Sequence, residues 1–517
     1  MIYSHSKPFS LTSIVLSVIL LSGCASLPDN SHRLASYYNS TTTDQTALGQ
    51  ASLKREQLHP GESGSYPLSS GLDAFVARAV AASYAEQTLD VQYYLYHNDT
   101  VGALLTDQLL KAADRGVRVR VLLDDMDLSN RDFGAAIIDA HPNIEIRIFN
   151  PFGRNTFRNP QYVTRFGSVT RRMHNKSFTI DNQLSIIGGR NIGDEYFDAS
   201  MDYTFSDLDV LLIGPVVDEV SKSFDLYWNN AIVYPLSILV DDYPNEQQIK
   251  SARENFDTKI AALQDSDYLK ALQNSELAKI MRQSRINYYW SDVEIIYDHP
   301  EKVIHSRDES QYHLSADLNR YFNAVNSNML LISPYFVPGK SGVAFLTDLE
   351  SKGIEVTVVT NSLASNDVPA VHAGYMKYRK KLLAAGVQIY EFKTHTDTQQ
   401  NEEQQYGQLK SGLHAKSFVL DDNTVFIGSL NLDPRSAKEN TEIGAMIKSP
   451  ALAKEFKTLL YSDIGKDTYE VYLENNQLRW RTDENGKEVI FEKEPETSWW
   501  ERFSVGAMRL IPAESQL

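Results

Sequence analysis

Histidine, lysine, aspartate and asparagine recur in this chain in two sets with the same internal spacing. Each set is an H-x-K-x4-D motif followed by G-[GS]-x-N, and the second begins 240 residues after the first. The residues are His174, Lys176, Asp181 and Asn191 in the first set, and His414, Lys416, Asp421 and Asn431 in the second. One such motif arises by chance in roughly a few per cent of chains of this length. Two copies that share a downstream glycine and asparagine therefore indicate a functional pair.

These residue types suit the transfer of a phosphodiester group. Two lysines and two asparagines supply positive charge and hydrogen-bond donors to the non-bridging oxygens of an anionic phosphate. One imidazole can attack phosphorus as a nucleophile. The other can protonate the leaving oxygen and then deprotonate the acceptor hydroxyl. The near-identity of the two sets does not say which histidine takes which role.

Carboxylates normally orient imidazoles used in this way, by accepting a hydrogen bond from the far ring nitrogen. Asp207 and Glu442 occupy equivalent positions downstream of the two asparagines, and we predict that they orient the histidines. The motif aspartates, Asp181 and Asp421, stand at turns between two predicted strands. They either take part in catalysis or cap these turns.

Neither a metal nor a cofactor is predicted. The histidines show no H-x3-H or H-E-x2-H spacing and the chain has a single cysteine, which disfavours a zinc site. No glycine-rich loop of the nucleotide-binding types follows a predicted strand. The formal net charge of -17 would repel polyanions, so we do not expect a nucleic-acid partner.

The elements that must hold these residues alternate between helix and strand. The first half is predicted to contain helix 71–85, strand 89–96, helix 100–115, strand 117–123, helix 133–140 and strand 144–149. The second half repeats this order nearly in step, with strands at 330–335, 353–359 and 387–392. This alternation predicts a duplicated α/β domain with α/β/α layers and mixed, largely parallel sheets.

The sequence divides into six segments by composition and pattern. They are a signal peptide (1–23), a polar tether (24–67), the first half (68–236), a charged helical insertion (237–312), the second half (313–465), and a C-terminal hairpin with an aromatic helix (466–517). Asparagine pairs and an Asn-Gly step predict the turns of the hairpin. The aromatic segment 498–511 is typical of an interfacial helix or of a terminal helix packed on the hairpin.

The first 24 residues are typical of an exported lipoprotein. Lys7 precedes a short apolar run from about residue 11 to residue 21, which favours an export signal over an uncleaved anchor. The run ends in Leu-Ser-Gly-Cys, which resembles a bacterial lipobox. The resemblance implies cleavage before Cys24 and lipidation of this cysteine. We therefore expect a lipid anchor in the bacterial envelope, facing the periplasm. Ala25 favours the outer membrane, although the inner one also fits.

Together, the two motifs resemble the phospholipase D superfamily over both halves of the chain, and most closely the bacterial cardiolipin synthases of the C type. The closer likeness is carried by residues 88–94, 171–178, 188–194, 205–210, 371–375 and 493–498. The resemblance implies one active site shared by two tandem phospholipase D-like domains, without a metal. It also implies a phosphohistidine intermediate, with His174 as the nucleophile and His414 as the general acid and base.

The resemblance further implies a phosphatidyltransferase that forms cardiolipin from phospholipids at a membrane surface. Phosphatidylglycerol is the expected substrate and phosphatidylethanolamine is a candidate donor, and the sequence does not reveal whether a protein partner is needed. A phospholipase D that releases phosphatidic acid would use the same motif residues and is the main alternative. An inactive scaffold lipoprotein of the envelope is the other, although such a protein should have lost a motif histidine or lysine.

An arginine-rich segment precedes the first motif. Its members are Arg154, Arg158, Arg165, Arg171 and Arg172. Because the chain is acidic overall, we predict that this segment faces anionic phospholipid headgroups rather than solvent.

Overall fold

The computed structural model describes residues 26–509, apart from residues 39, 156, 166, 201, 396–409, 465 and 485. The predicted signal peptide and Cys24 lie outside the described residues. Within the described part of the chain, no helix is both long enough and apolar enough to cross a membrane.

The first half is built on a mixed sheet. Its strands are β1 (Ser63–Leu68), β2 (Thr88–Tyr93), β3 (Arg118–Asp124), β4 (Ile144–Phe149), β5 (Ser177–Ile180), β6 (Leu184–Gly188), β8 (Asp209–Ile213) and β9 (Val233–Pro235), while β7 (Tyr203–Ser206) lies apart. The order across the sheet is β9-β4-β3-β2-β5-β6-β8-β1. Strands β2, β3 and β4 are parallel because helices connect them. Tight turns make the β5–β6 pair antiparallel.

The second half repeats this sheet. Its strands are β10 (Tyr289–Tyr297), β11 (Asn328–Ile332), β12 (Glu355–Asn361), β13 (Gln388–Phe392), β14 (Lys410–Leu413), β15 (Ser417–Leu420), β16 (Thr424–Gly428), β17 (Ile443–Lys448), β18 (Thr468–Glu474), β19 (Gln477–Glu484) and β20 (Lys487–Phe491). The order is β20-β19-β18-β13-β12-β11-β15-β16-β17-β10, with β11, β12 and β13 parallel. The predicted fold class is confirmed, and the parallel pairings form the βαβ core of each half.

Helices cover both faces of the sheets. In the first half they are Gly71–Ser83, Thr100–Asp114, Asp132–Asp139, Arg158–Thr164, Val216–Trp228 and Leu236–Leu239. In the second half they are Ser315–Phe322, Gly339–Ser351, Pro369–Tyr375, Arg379–Ala384, Pro434–Lys438 and Pro450–Asp463. The helices that follow β8 and β17 face the other half, and one buried apolar cluster contains residues of both halves. The halves therefore share a core.

The predicted helical insertion is only partly helical. Helices Glu246–Leu263, Asp267–Asn274 and Glu276–Arg282 agree with the prediction, but β10 is a strand. It pairs with β1 on one side and with β17 on the other, and so joins the two sheets. The alternation of buried Val293 and Ile295 with a glutamate between them was the overlooked signal of this strand.

The predicted polar tether packs against the first half instead of standing free. The buried guanidinium groups of Arg120 and Arg147 donate hydrogen bonds to the carbonyl oxygens of Ser36 (2.8 Å) and Leu34 (2.7 Å). Helices Ser40–Thr43 and Ala47–Glu56 follow, and β1 then enters the sheet. The correction has a simple cause, because buried arginines need acceptors and this segment supplies them.

The C-terminal hairpin and helix form as predicted, with strands β18 to β20 and helix Trp499–Met508. Arg379 fastens this region to the second half. It donates hydrogen bonds to Glu391 and Glu494, both at 2.6 Å, and all three side chains are buried. The sequence segments 371–375 and 493–498 meet at this cluster, where Glu494 is an electrostatic neighbour of the buried His372.

Candidate active site

The two H-x-K motifs lie at equivalent edges of the two sheets. Strand β5 runs antiparallel to β2, with Ser177 opposite Gln92, and β15 runs antiparallel to β11, with Ser417 opposite Ile332. Each histidine therefore stands just beyond the carboxyl ends of the parallel strands. The β5–β6 and β15–β16 hairpins return the chain to this edge, where Asn191 and Asn431 follow. The same local arrangement of strands and hairpins therefore positions both sets of motif residues.

Each motif histidine is hydrogen-bonded to a carboxylate of the other half. Nδ1–H of His174 donates a hydrogen bond to Glu442 at 2.9 Å, and Nδ1–H of His414 donates one to Asp207 at 2.5 Å. All four side chains are buried. The structure brings together the four residues that the sequence predicted, but the exchange of carboxylates between halves was not visible in the sequence. Among the described residues, neither motif histidine is hydrogen-bonded to a carboxylate of its own half.

The motif lysines lie inside the same centre. Nζ of Lys176 donates to the carbonyl of His174 at 2.6 Å, and Nζ of Lys416 donates to that of His414 at 2.5 Å. Burial lowers the pKa of Lys416 to about 8 and that of Lys176 well below its usual range, although neighbouring carboxylates oppose this. A bound anion would favour the charged form of both lysines.

The motif asparagines differ in their partners. Nδ2 of Asn191 donates to the hydroxyl of Tyr196 at 3.0 Å. Oδ1 of Asn431 is buried and has no hydrogen-bond partner among the described residues. A buried amide oxygen without a partner is unfavourable, so this oxygen is available to accept a hydrogen bond from a ligand.

Burial lowers the pKa of both imidazoles. The pKa of His174 falls to about 4 and that of His414 to about 3, because desolvation and the nearby lysines outweigh the carboxylates. Burial alone would raise the pKa of Asp207 and Glu442, but their histidine and lysine neighbours lower both. At neutral pH each imidazole is therefore neutral. With Nδ1–H held by a carboxylate, Nε2 keeps the lone pair that a nucleophile needs.

Residues that the sequence analysis did not select complete the centre. The Ser429 and Ser436 hydroxyls donate to Glu442 at 2.5 and 2.7 Å. The equivalent of Ser429 in the first half is Gly189, where a Cβ would lie 2.1 Å from Asp207 Oδ1. The two carboxylates therefore have different surroundings. The serine at the second position of G-[GS]-x-N was the available signal.

Aromatic rings pack against both motif histidines. The ring of Tyr94 lies 5.1 Å from that of His174, and the rings of Tyr196 and Phe205 lie 5.2 and 4.8 Å from that of His414. These rings limit the access of water and contribute to the burial that lowers the pKa of each imidazole.

The motif aspartates do not reach the histidines. Asp181 accepts hydrogen bonds from the backbone N–H groups of residues 86, 87 and 88, at 3.0, 2.8 and 2.9 Å. Asp421 does the same for residues 326, 327 and 328. Both aspartates stand at positive φ in the turn after the motif strand. Their positions favour turn capping over the catalytic role that we also considered.

The arginine-rich segment is paired internally rather than directed at headgroups, contrary to our prediction. Four of its arginines bind carboxylates: Arg154 binds Asp125 and Asp132, Arg158 binds Asp125, Arg171 binds Glu439 and Arg172 binds Asp124. Arg165 donates to the side chain of Gln161 at 3.2 Å. The carboxylates of Asp124 and Asp125 are fully buried, so their charge requires a cation beside it.

One other group in the described part of the chain has the composition of a cation site. His97, Asp99 and Glu195 offer ligand atoms within 4.8 Å of one another. The group is half-buried, and the imidazole of His97 already pairs with Glu195 at 3.3 Å. The sequence analysis did not predict this group.

Comparisons with known proteins agree with this geometry. A family model described as "Cardiolipin synthase, PLD-like domain" matches residues 81–228 and 318–464. Cardiolipin synthase C of Escherichia coli is 39% identical over 478 residues, which cover 90% of this chain and 99% of that protein. An uncharacterized protein of Helicobacter pylori is 31% identical and covers 96% of this chain and 98% of its own length.

Among solved structures, phosphatidylserine synthase of Haemophilus influenzae superposes with a TM-score of 0.54 at 15% identity. The match covers 81% of this chain and 92% of that chain, and it supports the fold alone. The family model matches more than half of the chain and falls on both halves. The chain belongs to the family of cardiolipin synthases with phospholipase D-like domains.

Proposed function

We propose that this protein is a phosphatidyltransferase that forms cardiolipin from phospholipids. The observation that carries the proposal is the pair of buried imidazoles, each held by a carboxylate of the other half, with a lysine beside each. Such a centre suits a two-step transfer through a covalent intermediate. The 39% identity to a protein named cardiolipin synthase C supports cardiolipin as the product.

In the proposed first step, Nε2 of His174 attacks the phosphorus of a donor phospholipid. His414 gives a proton to the oxygen that leaves with the headgroup alcohol. The phosphatidyl group is then linked to His174 through a phosphorus–nitrogen bond. Lys176, Lys416 and the asparagine amides stabilise the charge on the non-bridging oxygens.

In the proposed second step, His414 takes the proton of a glycerol hydroxyl of phosphatidylglycerol. The resulting oxygen attacks phosphorus, the phosphorus–nitrogen bond breaks, and cardiolipin leaves with His174 neutral again. The free imidazole of His414 has a low pKa, so the first step needs the bound phosphate, whose negative charge raises that pKa.

We also propose that the enzyme works at a membrane surface. The C-terminal helix carries Trp499, Trp500 and Phe503, which are 66%, 63% and 54% exposed and stack on one another. Helix Pro369–Tyr375 packs against it and follows the carboxyl end of β12, the edge at which His414 lies. Exposed tryptophan on a short helix is typical of a bilayer interface.

Localisation follows from the N-terminal pattern and is part of the proposal. The lipobox-like segment ending at Cys24 would anchor the protein in the bacterial envelope with the enzyme facing the periplasm. Radiolabelled palmitate should be incorporated into the wild-type chain in the native host and not into Cys24→Ala. Equal labelling of both would contradict the anchor.

The function is tested with purified protein in mixed micelles of phosphatidylglycerol, with and without phosphatidylethanolamine, by following products by mass. We expect cardiolipin from the wild type and a loss of about 10²-fold or more in His174→Ala and His414→Ala. His32→Ala, at a side chain that is 95% exposed, is the matched control and should keep full activity. Phosphatidic acid without cardiolipin would identify a hydrolase, and no product at all would favour the inactive scaffold.

A further inference from the structure

A cavity of about 680 Å³ lies between the two halves, next to the catalytic centre. Its floor consists of side chains at the carboxyl ends of β11, β12 and β13, namely Ile332, Val359 and Phe392. Helix Pro450–Asp463 covers one side. Asp207, which holds His414, also lines the cavity. The cavity therefore shares a wall with the acid–base histidine.

The same region is solid in the first half. Leu122, Phe149 and Met173 occupy the positions in the duplicated pattern that correspond to Val359, Phe392 and Leu413 in the second half. All three first-half side chains are fully buried in one apolar cluster. Their three counterparts all line the cavity. The equivalent regions of the two halves therefore differ: apolar side chains fill the region in the first half, and a cavity occupies it in the second.

The difference comes from the helix that covers each region. In the first half, helix Val216–Trp228 ends with Phe224, Tyr227 and Trp228 in the cluster, and the Phe149 and Tyr227 rings lie 5.8 Å apart. When Pro450 is aligned with Pro215, the equivalent helix of the second half carries Leu459, Ser462 and Asp463 at these three positions, and Leu459 and Leu460 line the cavity. The three aromatic residues of the first half thus correspond to smaller residues in the second half.

Apolar side chains form the larger part of the cavity lining, and the carboxylates of Asp198, Asp207, Glu455 and Asp467 form part of the rest. The volume falls in the range of about 300–1,000 Å³ that is usual for small-molecule sites. No lysine, arginine or histidine of the described residues lines the cavity, so it offers no positive charge to a phosphate, and its carboxylates would repel one. A hydrocarbon chain fits this lining.

We propose that this cavity binds one acyl chain of a phospholipid while the catalytic centre handles the phosphate. The proposal rests on the proposed function, because that function makes a lipid the substrate. The shared wall at Asp207 and Ala415 places the bound chain beside His414. Because only the second half has this cavity, an acyl chain would bind next to His414 and not next to His174, although the catalytic centre is otherwise nearly symmetric.

The test uses monolauroylglycerol, a neutral single-chain lipid without a phosphate, below its critical micelle concentration. Isothermal titration calorimetry on the full protein should show saturable binding with a negative heat-capacity change, because apolar surface is buried. Monobutyrylglycerol should not bind measurably. Absence of saturable binding by the longer chain would overturn the proposal.

Leu460 lines the cavity, so Leu460→Trp should occupy part of it, weaken binding by roughly tenfold or more, and leave the melting temperature unchanged or higher. Leu460→Phe should give an intermediate loss. Leu58→Trp, at a position that is 76% exposed, is the control and should bind as the wild type does. Unchanged binding in a folded Leu460→Trp protein would overturn the proposal.

A second measurement needs no variant. A monoacylglycerol with a diazirine at the end of its 12-carbon chain should label peptides of helix Pro450–Asp463 or of β12 and β13 in the wild type. Labelling confined to other regions would overturn the site. Neither measurement involves turnover, so a protein that binds the chain but makes no cardiolipin would contradict the proposed function only. One that makes cardiolipin without binding would contradict the cavity only.

Discussion

At the residue scale, burial disfavours positive charge in the centre before any substrate arrives, because it lowers the pKa of both imidazoles and of Lys176. Two lysines and two carboxylates lie beside two imidazoles that burial keeps neutral. An arriving phosphodiester adds one negative charge to a buried region. A buried charge needs a partner, so binding should bring in a proton.

The first prediction concerns this proton. Dimethyl phosphate, a soluble phosphodiester, should bind at pH 7 with uptake of about one proton, because its charge raises the lowered pKa of the imidazoles and of Lys176. Calorimetry in buffers of different ionisation enthalpy measures the number of protons directly. The uptake should disappear in a His174→Ala/His414→Ala/Lys176→Met protein. Binding to the wild type without proton uptake would show that the centre is already protonated.

The second prediction concerns the exchanged carboxylates. Glu442→Gln should lower kcat by about 10²–10⁴-fold, because an amide oriented toward Nδ1 no longer stabilises the imidazolium or fixes the tautomer. Asp207→Asn should do the same for His414. KM should change far less than kcat, which separates an orienting role from substrate binding.

Glu488→Gln, at an exposed site in the C-terminal hairpin, is the matched control for the carboxylate variants. Steady-state kinetics with phosphatidylglycerol micelles provide the measurement, and thermal unfolding shows that the variants are folded. If Glu442→Gln and Asp207→Asn kept wild-type kcat, the carboxylates would be structural partners only.

At the element scale, the hairpins that carry the motifs are fastened by their aspartates. Each aspartate accepts hydrogen bonds from three successive backbone N–H groups at the start of the first parallel strand of its half, β2 or β11. The two anchors differ in burial, because Asp181 is fully buried and Asp421 is partly exposed. The same residue at the same motif position therefore stabilises the two halves unequally.

The third prediction tests this difference. Asp181→Ala should lower the free energy of unfolding by about 1–3 kcal/mol, because three N–H groups, including that of the buried Thr88, lose their acceptor. Asp421→Ala should lower it less, since water can replace the carboxylate there. Both turns have positive φ, so the strain that alanine adds is common to both variants and cancels in the comparison. Urea denaturation measures the two values.

The same prediction includes the kcat of the Asp181→Ala variant. The folded fraction of Asp181→Ala should keep a kcat near that of the wild type, unlike His174→Ala. A folded Asp181→Ala protein with a kcat as low as that of His174→Ala would show that Asp181 takes part in catalysis.

At the scale of the whole molecule, the two halves form a single catalytic unit. The histidine of each half depends on the carboxylate of the other, β10 joins the two sheets, and one apolar cluster contains side chains of both halves. The chain can therefore not lose one half and retain one active site.

The fourth prediction follows from this unity. Full-length His174→Ala and His414→Ala proteins should remain inactive when they are mixed, because both histidines of one centre come from one chain. Cardiolipin formation by the mixture is measured against each variant alone and against a wild-type sample diluted to half. Recovery of activity on mixing would mean that histidines of two chains meet in one site.

The sequence predicted the parts that depend on local pattern. The strands β3, β4 and β13 are found within one residue of the predicted spans, and the hairpin turns stand where the asparagines indicated them. These elements follow from periodicity and turn chemistry, which neighbouring residues decide. Strand β10 was not predicted, because it is a single alternating stretch within a segment whose other residues have a charged, helical pattern.

Other features could not be read from the sequence because they depend on partners distant in the chain. The polar segment before β1 has no apolar pattern, yet buried Arg120 and Arg147 hold it in place. The arginines before the first motif were expected at the surface, but buried carboxylates from other loops bind them. Burial of a charge is a tertiary property, since it depends on what covers the residue.

The sequence by itself determined the chemistry of this protein, because residue types and spacing specify two histidines with lysines, asparagines and carboxylates beside them. Only the tertiary structure decided which carboxylate holds which histidine, and it paired His174 with Glu442 and His414 with Asp207 across the two halves. It also left a cavity in one half and filled the other. The physical reason is that spacing along a chain repeats in both copies, whereas packing depends on what each copy faces.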